Sequence, residues 1–461
     1  MALLLIIVTI LVLSLPSCDS SETSSVVSPT ATPMPTLTTT LPTATPTPTL
    51  TKNPPTVSPT PVKVAMAISN KQRVTAPNIT PAEMIELVRG NSDFAFDLYQ
   101  ALSKEDGNLF YSPYSISLAL AMTYAGARGE TEQQMANTLH YTLPQDQLHP
   151  AFNALDLELA SRGQGAKGQD DKGFRLNIAN AIWGQQDYHF LTSFLDVIAE
   201  NYGSGLNLLD FIKALEESRV TINNWVSQKT EGKIKDLIPQ GAIDESTRLV
   251  LTNAIYFNAA WLNPFSESST QDGIFHLVDG SDVTTPMMRQ TNFFGYNKGE
   301  GYQAIELPYD GRELSMVVLI PDTSRFEDFE RRINTEYVNN IIGSLTSKPV
   351  ALTMPKFKFE SSFRLNDVLS ALGMPAAFSG TVDFSGITGT RELSISGIIH
   401  KAFVSVNEAG TEAAAATMVA MATSEPNDLV RFTIDHPFIF LIRDIETGAV
   451  LFVGRVLNPS V

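Results

Sequence analysis

Few residues in this chain are arranged for covalent chemistry. Gly163-Gln164-Gly165-Ala166-Lys167-Gly168 has the spelling of a phosphate-cradling GxGxxG loop, but such a loop needs a strand leading in and a helix leading out. Here the run sits in a polar stretch and is followed by Gln169-Asp170-Asp171, so an incidental match is the better reading. Asp435-His436 supplies two types of a hydrolytic triad, yet a carboxylate adjacent in sequence rarely orients its neighbour's ring, and a structural histidine is expected. No GxSxG elbow, P-loop, HExxH or CxxC occurs. One cysteine, Cys18, permits neither an internal disulfide nor a cysteine-based metal site, and six scattered histidines offer no close ligand pair. An enzyme is therefore not expected, nor is a metal or a cofactor.

A different chemistry is suggested by Glu408-Ala-Gly-Thr-Glu-Ala-Ala-Ala-Ala-Thr417 and its continuation to Ser424. Alanine favours helix, but this run follows a strand pattern at 402–406 without a capping turn and lacks long apolar anchors. Taken with the two-residue period of a strand, one face carries Thr411, Ala413, Ala415, Thr417, Val419 and Met421. That face is uncharged and, over its first half, small. Glu412, Ala414, Ala416, Met418, Ala420 and Ala422 form the other face. Such a segment could slide between two existing strands with little steric cost.

The elements that would position it follow from periodicity. From Thr80-Pro81-Ala82-Glu83 the pattern is helical, with apolar residues at three- and four-residue spacing: Phe94, Leu98 and Leu102, then Ile116, Leu120 and Met122. Strands are expected at 176–183, 249–257, 314–320, 350–354, 404–406, 438–442 and 450–453, with helices near 194–202, 215–229 and 363–372. Helices first and strands increasingly later indicate an α+β fold. With 43% hydrophobic residues over 461 positions, the chain can bury a large core without disulfides. A net charge of −17 argues against nucleic acid, heparin-like polyanions and acidic membranes as main partners.

The first 13-residue apolar run, 3–15, is too short to span a bilayer but suits a signal-peptide core. Leu15-Pro16-Ser17-Cys18 after it resembles a bacterial lipobox, which implies cleavage after residue 17 and lipidation of Cys18; Pro16 and the lack of Lys or Arg before the run depart from the pattern. From 20 to about 61 the chain is a Thr, Pro and Ser mixture, a composition expected to form an extended tether; the tether is drawn over 18–75, with the globular domain at 76–461. An extracellular, surface-tethered monomer touching the membrane only through a lipid is the resulting expectation.

The 408–417 segment resembles the hinge of inhibitory serpins, and the similarity runs from about Thr80 to the C-terminus. Asn108-Leu-Phe-Tyr-Ser-Pro-Tyr-Ser-Ile116, Leu251-Thr-Asn-Ala-Ile-Tyr-Phe-Asn-Ala-Ala-Trp261, Pro286-Met287-Met288, His436-Pro437-Phe438-Ile439-Phe440 and Phe452-Val-Gly-Arg-Val-Leu-Asn-Pro459 are similar to family motifs, in the family's order. The resemblance implies three β-sheets, about nine helices and an exposed reactive-centre loop from 408 to about 430. A protease cuts that loop, forms an acyl-enzyme, and is trapped when about 15 loop residues insert as a new strand of the central sheet. The hinge would comprise Glu408, Gly410, Thr411, Glu412, Ala413, Ala414, Ala415, Ala416 and Thr417. Trp183 matches the family's breach tryptophan, at the top of the sheet, and Ser112, Ser115, Asn223 and His400 its shutter cluster. A non-inhibitory serpin acting as a binding or chaperone-like module is the alternative; bulky or charged hinge residues would favour it, and Thr411 to Thr417 lack them on the inward face.

Family spacing from Glu408 puts the scissile bond at Ser424-Glu425, whereas counting back from Pro437 gives Pro426-Asn427. No Lys or Arg lies between Ala402 and Arg431, so a trypsin-like target is not expected. Ala422, Thr423 and Ser424 suit an elastase- or subtilisin-like pocket, and Pro426 disfavours cutting after Glu425. Thr423-Ser424 or Ser424-Glu425 is the expected reactive bond.

Overall fold

The computed structural model describes Val62 and residues 64–166, 174–411 and 428–460. Cys18, Glu412, Ala413, Ala414, Ala415, Ala416, Thr417, Thr423, Ser424 and Glu425 lie outside the described residues.

Ten helical segments are present among them. They are α1 (Pro81–Leu102), α2 (Pro113–Tyr124), α3 (Gly129–Thr138), α4 (Gln145–Ala160), α5 (Thr192–Tyr202), α6 (Leu215–Lys229), α7 (Phe326–Glu330), α8 (Thr335–Gly343), α9 (Asn366–Leu372) and α10 (Ser385–Thr388). Thr80 begins α1 with a capping box: its hydroxyl accepts from the Glu83 amide while the Glu83 carboxylate accepts from the Thr80 amide. The helix expected at 363–372 starts later, because Phe363 still belongs to a strand and the chain turns at Leu365.

A seven-stranded sheet runs in the order β1 (Ala65–Ala67), β4 (Leu206–Leu209), β3 (Arg175–Gln185), β5 (Leu249–Ala260), β13 (Gly410–Thr411), β12 (Gly397–Asn407), β11 (Phe357–Arg364). All twelve positions of β5 are buried, since both faces of this central strand are covered. One face meets the main core through Leu251, Ile255 and Phe257; the other meets a second cluster around Trp183, Ile222 and Val226 beneath α6.

The remaining strands are β2 (Leu109–Tyr111), β6 (Gln271–His276), β7 (Asp282–Gly299), β8 (Tyr302–Pro308), β9 (Leu314–Pro321), β10 (Thr346–Pro355), β14 (Val430–Thr433), β15 (Phe438–Asp444) and β16 (Val450–Val456). They form one nine-stranded ladder rather than two separate sheets. The 18-residue β7 joins its halves, pairing with β6 and β10 along most of its length and with β8 at its end. The three expected sheets are thus connected as two ladders among the described residues.

The globular body begins earlier than residue 76. Strand β1 pairs antiparallel with β4, covering what would be a bare sheet edge. The Val62 amide donates to Thr221 Oγ1 at 2.9 Å, and Val62 and Val64 pack against the Trp183 cluster. Further on, Arg73 donates to Asn153 Oδ1 at 2.8 Å and to Asp156 Oδ2 at 2.7 Å, and the Val74 amide donates to the Glu200 carbonyl. This strap therefore crosses α6, β4, α5 and α4. Its Thr/Pro-poor composition after 61 was the signal that a boundary drawn at 75 overlooked.

Arg73→Ala should leave the buried Asn153 without its guanidinium donor and cost about 1–3 kcal/mol, read as a lowered urea midpoint. An unchanged midpoint would mean that the strap contributes nothing to the fold.

Candidate functional site

The site is a seam. Strands β5 and β12 pair directly and in parallel from Val250↔Gly397 to Tyr256↔Phe403. Above that, the chain leaves β12, turns at Glu408 and Ala409, and re-enters as β13 between the same two strands. Gly410 and Thr411 pair with Ala260 and Ala259 on one side and with Asn407 and Val406 on the other. The sheet is closed below and parted at its top.

The described residues of the hinge are held. Glu408 is buried; its carboxylate accepts from Thr270 Oγ1 at 2.7 Å and pairs with Lys356 Nζ at 2.9 Å. Burial alone would raise its pKa, but the hydroxyl and the ammonium outweigh that and hold it below the usual carboxylate range. At Gly410 a Cβ would lie 2.1 Å from the Ala259 carbonyl oxygen, so glycine is required by close approach of the backbones. Thr411 is 1% exposed, and its hydroxyl meets Tyr309 Oη at 2.8 Å. Tyr309 stacks on Trp261 with centroids 4.8 Å apart. Trp261 in turn donates its Nε1–H to the Asn407 carbonyl and its amide to the Ala409 carbonyl.

The tryptophan at the hinge is Trp261, and the assignment of Trp183 to that place is corrected. Trp183 pairs with Val250, near the opposite end of β5 from Ala259, and donates to Thr252 Oγ1 at 2.9 Å while packing edge-on against Trp225. Trp183 lies near the end of β3 and Trp261 just after β5; only the antiparallel run of β3 against β5 tells which end of the sheet each occupies.

Below the hinge, a buried polar cluster crosses the seam. His400 and Asn253 are register partners on β12 and β5. The ring's Nε2 accepts from the Ser112 amide at 3.3 Å, so Nδ1 carries the proton and donates to Asn253 Oδ1. Asn253 Nδ2 donates to Ser115 Oγ at 2.7 Å and to Asn180 Oδ1 at 2.6 Å. Ser112 caps α2 by accepting from the Ser115 amide and donates its hydroxyl to the Leu451 carbonyl at 2.7 Å. Ser112, Ser115 and His400 thus come together. Asn223 does not join them: it sits on α6, where its amide exchanges two hydrogen bonds with the backbone of Ile238. Asn253 and Asn180 stand in the cluster where Asn223 was expected. Asn253 lies in a quoted motif, but its partner is 147 residues away and no local pattern marks it.

The incidental matches remain incidental. Gly163 to Ala166 lies in a turn after α4, and the Gly163 amide already donates to Glu313 Oε2 at 2.6 Å. His436 has both ring nitrogens engaged, with Asp435 Oδ1 and the Pro321 carbonyl each at 2.7 Å. Among the described residues no group of three or more His, Cys, Asp or Glu could hold a metal ion.

The chain matches the family model described as Serpin (serine protease inhibitor) over residues 89–459. It is 40% identical over 377 residues to an uncharacterized serpin-like protein of Thermococcus kodakarensis, covering 81% of this chain and 86% of that one. To the human leukocyte elastase inhibitor it is 39% identical over 392 residues, covering 82% of this chain and all of the other. Among solved structures, native tengpin, a thermophilic serpin, superposes with a TM-score of 0.76 at 28% identity, covering 86% of this chain and all of tengpin. Uncleaved ovalbumin gives 0.72 at 28% identity, covering 81% and 100%.

Burial depresses the His400 pKa to about 3. Unfolded, the ring titrates near 6.5, so below that pH the unfolded chain takes up a proton that the folded one refuses. Stability should therefore fall as pH drops from about 6.5 toward 3. In His400→Gln the fall should be shallower by up to one proton, about 1.4 kcal/mol per pH unit, in urea unfolding at stepped pH. Parallel slopes for the two proteins would contradict the neutral, buried imidazole.

Proposed function

The chain belongs to the serpin family, and on that premise we propose that it is an irreversible suicide inhibitor of serine endopeptidases, trapping an acyl-enzyme by inserting its cut loop between β5 and β12. The observation that carries this reading is β13. Two hinge residues already occupy the slot, antiparallel to both neighbours and in the register that β5 and β12 keep with each other.

Continued downward, that register makes a definite forecast. Each further residue of the loop pairs one residue back along β5, so Met421 would come opposite Leu249, where β5 begins. The slot is then full, and the expected bonds Thr423-Ser424 and Ser424-Glu425 lie just beyond it. Some ten residues gaining main-chain hydrogen bonds at about 0.5–1.5 kcal/mol each would supply on the order of 10 kcal/mol. Thr411 shares its face with Ala259, so Ala413, Ala415 and Thr417 would follow it toward Phe257, Ile255 and Asn253. Small side chains on that face keep insertion fast relative to deacylation; an unpaired charge there would cost several kcal/mol.

Insertion must break the His400–Asn253 bond. In the continued register Thr417 falls between these two residues, and a hydroxyl can accept from His400 Nδ1 while donating to Asn253 Oδ1. We read Thr417 as the residue that restores the broken link. The target is read as elastase- or subtilisin-like, on the small residues at 422–424 and on the elastase-inhibitor relatives. We place the protein outside the cytoplasm as a monomer, tethered through lipidated Cys18, on the apolar 3–15 run and the Thr/Pro-rich stretch.

Incubation with elastase and subtilisin should give an SDS-stable covalent band and a released peptide beginning at Ser424 or Glu425 by mass. Clean cleavage by both without a complex would point to a substrate-like or non-inhibitory serpin. Thr417→Val should raise the stoichiometry of inhibition severalfold while Thr417→Ser stays near wild type, and Thr411→Arg should convert the inhibitor to a substrate. Equal stoichiometries across the series would sink the insertion register.

A further inference from the structure

Two histidines of this chain are held in opposite states by the kind of partner each meets. The ring of His400 accepts from a backbone amide and is neutral, whereas His436, on the link between β14 and β15, faces an acceptor on either side. Its Nδ1 lies 2.7 Å from Asp435 Oδ1 and its Nε2 lies 2.7 Å from the Pro321 carbonyl oxygen. A peptide carbonyl has no proton to give, and Asp435 has none either, because its bond to His436 holds the carboxyl below the usual carboxylate range. A neutral imidazole has one N–H and could make only one of these two bonds. Making both requires the imidazolium.

The groups packed around the ring favour that state. His436 lines an open cavity of about 600 Å³ together with Asp322, beside Pro321, with Glu327 and Asp328 of α7, and with His276 of β6. The His276 ring pairs with Asp282 Oδ1 at 2.7 Å and its amide donates to the Asp435 carbonyl at 2.7 Å, while Asp328 is paired with Arg331. Carboxylates thus predominate among the described residues here. Burial alone would lower the His436 pKa, but the bonds to Asp435 and Pro321 and the charges of Asp435 and Asp322 outweigh it and lift the ring above its ordinary value. What the ring secures is the return of the loop to the sheet. Strand β14 has four residues, lies at the end of the nine-stranded ladder and pairs only with β10. Beyond it the chain is fixed by the Ile434 amide on the Thr353 carbonyl and then by His436 on the end of β9.

We propose that His436 is a proton-operated latch for this foot of the loop: as imidazolium it ties the link after β14 to the end of β9, and on losing its proton it releases one partner and lets β14 peel from β10. A ring whose folded pKa is raised gives its full contribution below about pH 6.5 and loses it as pH climbs through the folded value. The latch therefore opens on the alkaline side, in a window separate from the acid range in which His400 acts. A loop firmly tethered only at Thr411 would have to be ordered when a protease binds it, which slows association. That last consequence alone rests on the inhibitor reading.

The test is hydrogen exchange of the full chain at about pH 6 and about pH 8.5, corrected for the intrinsic rate and read at the amides of Val430 to Ile434. Protection in the wild type should be roughly tenfold lower at the higher pH, while β16 stays unchanged. His436→Gln, an uncharged side chain at either pH, should show the lower protection at both; His436→Arg, which keeps its charge and several N–H groups, should show the higher protection at both. His276→Gln should keep the wild-type step, which separates the latch from the neighbouring ring. Equal wild-type protection at the two pH values, or a step that survives in His436→Gln, would overturn the latch. Should that variant fail to fold, the ring nitrogens of the wild type decide by NMR: both protonated at about pH 6 supports the latch, and a neutral ring there overturns it. Failure of the wild type to trap any protease would leave these readouts intact and would count against the inhibitor reading alone.

Discussion

The structure depends on one parallel pairing, that of β5 with β12. Parallel neighbours in a sheet are ordinarily joined by a crossover and stay paired; here the strands are paired over Val250 to Tyr256 and held apart at Ala259 and Ala260 by two residues of the chain that leaves β12. The inner edges of these strands are satisfied by each other below and by Gly410 and Thr411 above, so the three-stranded arrangement at the top can extend downward only if the β5–β12 pairs part. The side chains around it serve two opposed ends. Trp261, Tyr309 and Thr411 keep the top open, and His400 with Asn253 keeps the rest shut.

Electrostatics explains why the closed part is polar. A seam of leucines would zip irreversibly, whereas a neutral imidazole bonded to an amide is specific in geometry and exchangeable for another hydroxyl or amide. Burial keeps His400 uncharged, with no cation left to desolvate when the seam moves. Glu408 does the reverse at the hinge: its carboxylate, tied to Lys356 and Thr270, fixes the point from which insertion would proceed. At the far edge of the same sheet, β1 and the Arg73 contacts bind the β4 side to α4 and α5.

Much of this was legible in the sequence, and the failures are instructive. Strand periodicity located β5, β9 and β15, and helix periodicity located α6, because those signals are local. Of the expected hinge, Gly410 and Thr411 enter the sheet, while the alternating face of small uncharged residues that follows lies outside the described residues. The roles of Trp183 and Asn223 were assigned from resemblance alone and fell elsewhere, since which tryptophan or asparagine meets the hinge or His400 depends on register between strands far apart in sequence.

The most direct test of the account is the thermal stability of the protein before and after a single cut in the loop by a protease that nicks without being trapped. If the β5–β12 seam parts to admit the segment after Thr411, the nicked protein gains a strand, and its melting temperature should rise by tens of degrees. A nicked protein that melts at or below the intact one would mean that the seam accepts no further strand, and the trapping mechanism would fall with it.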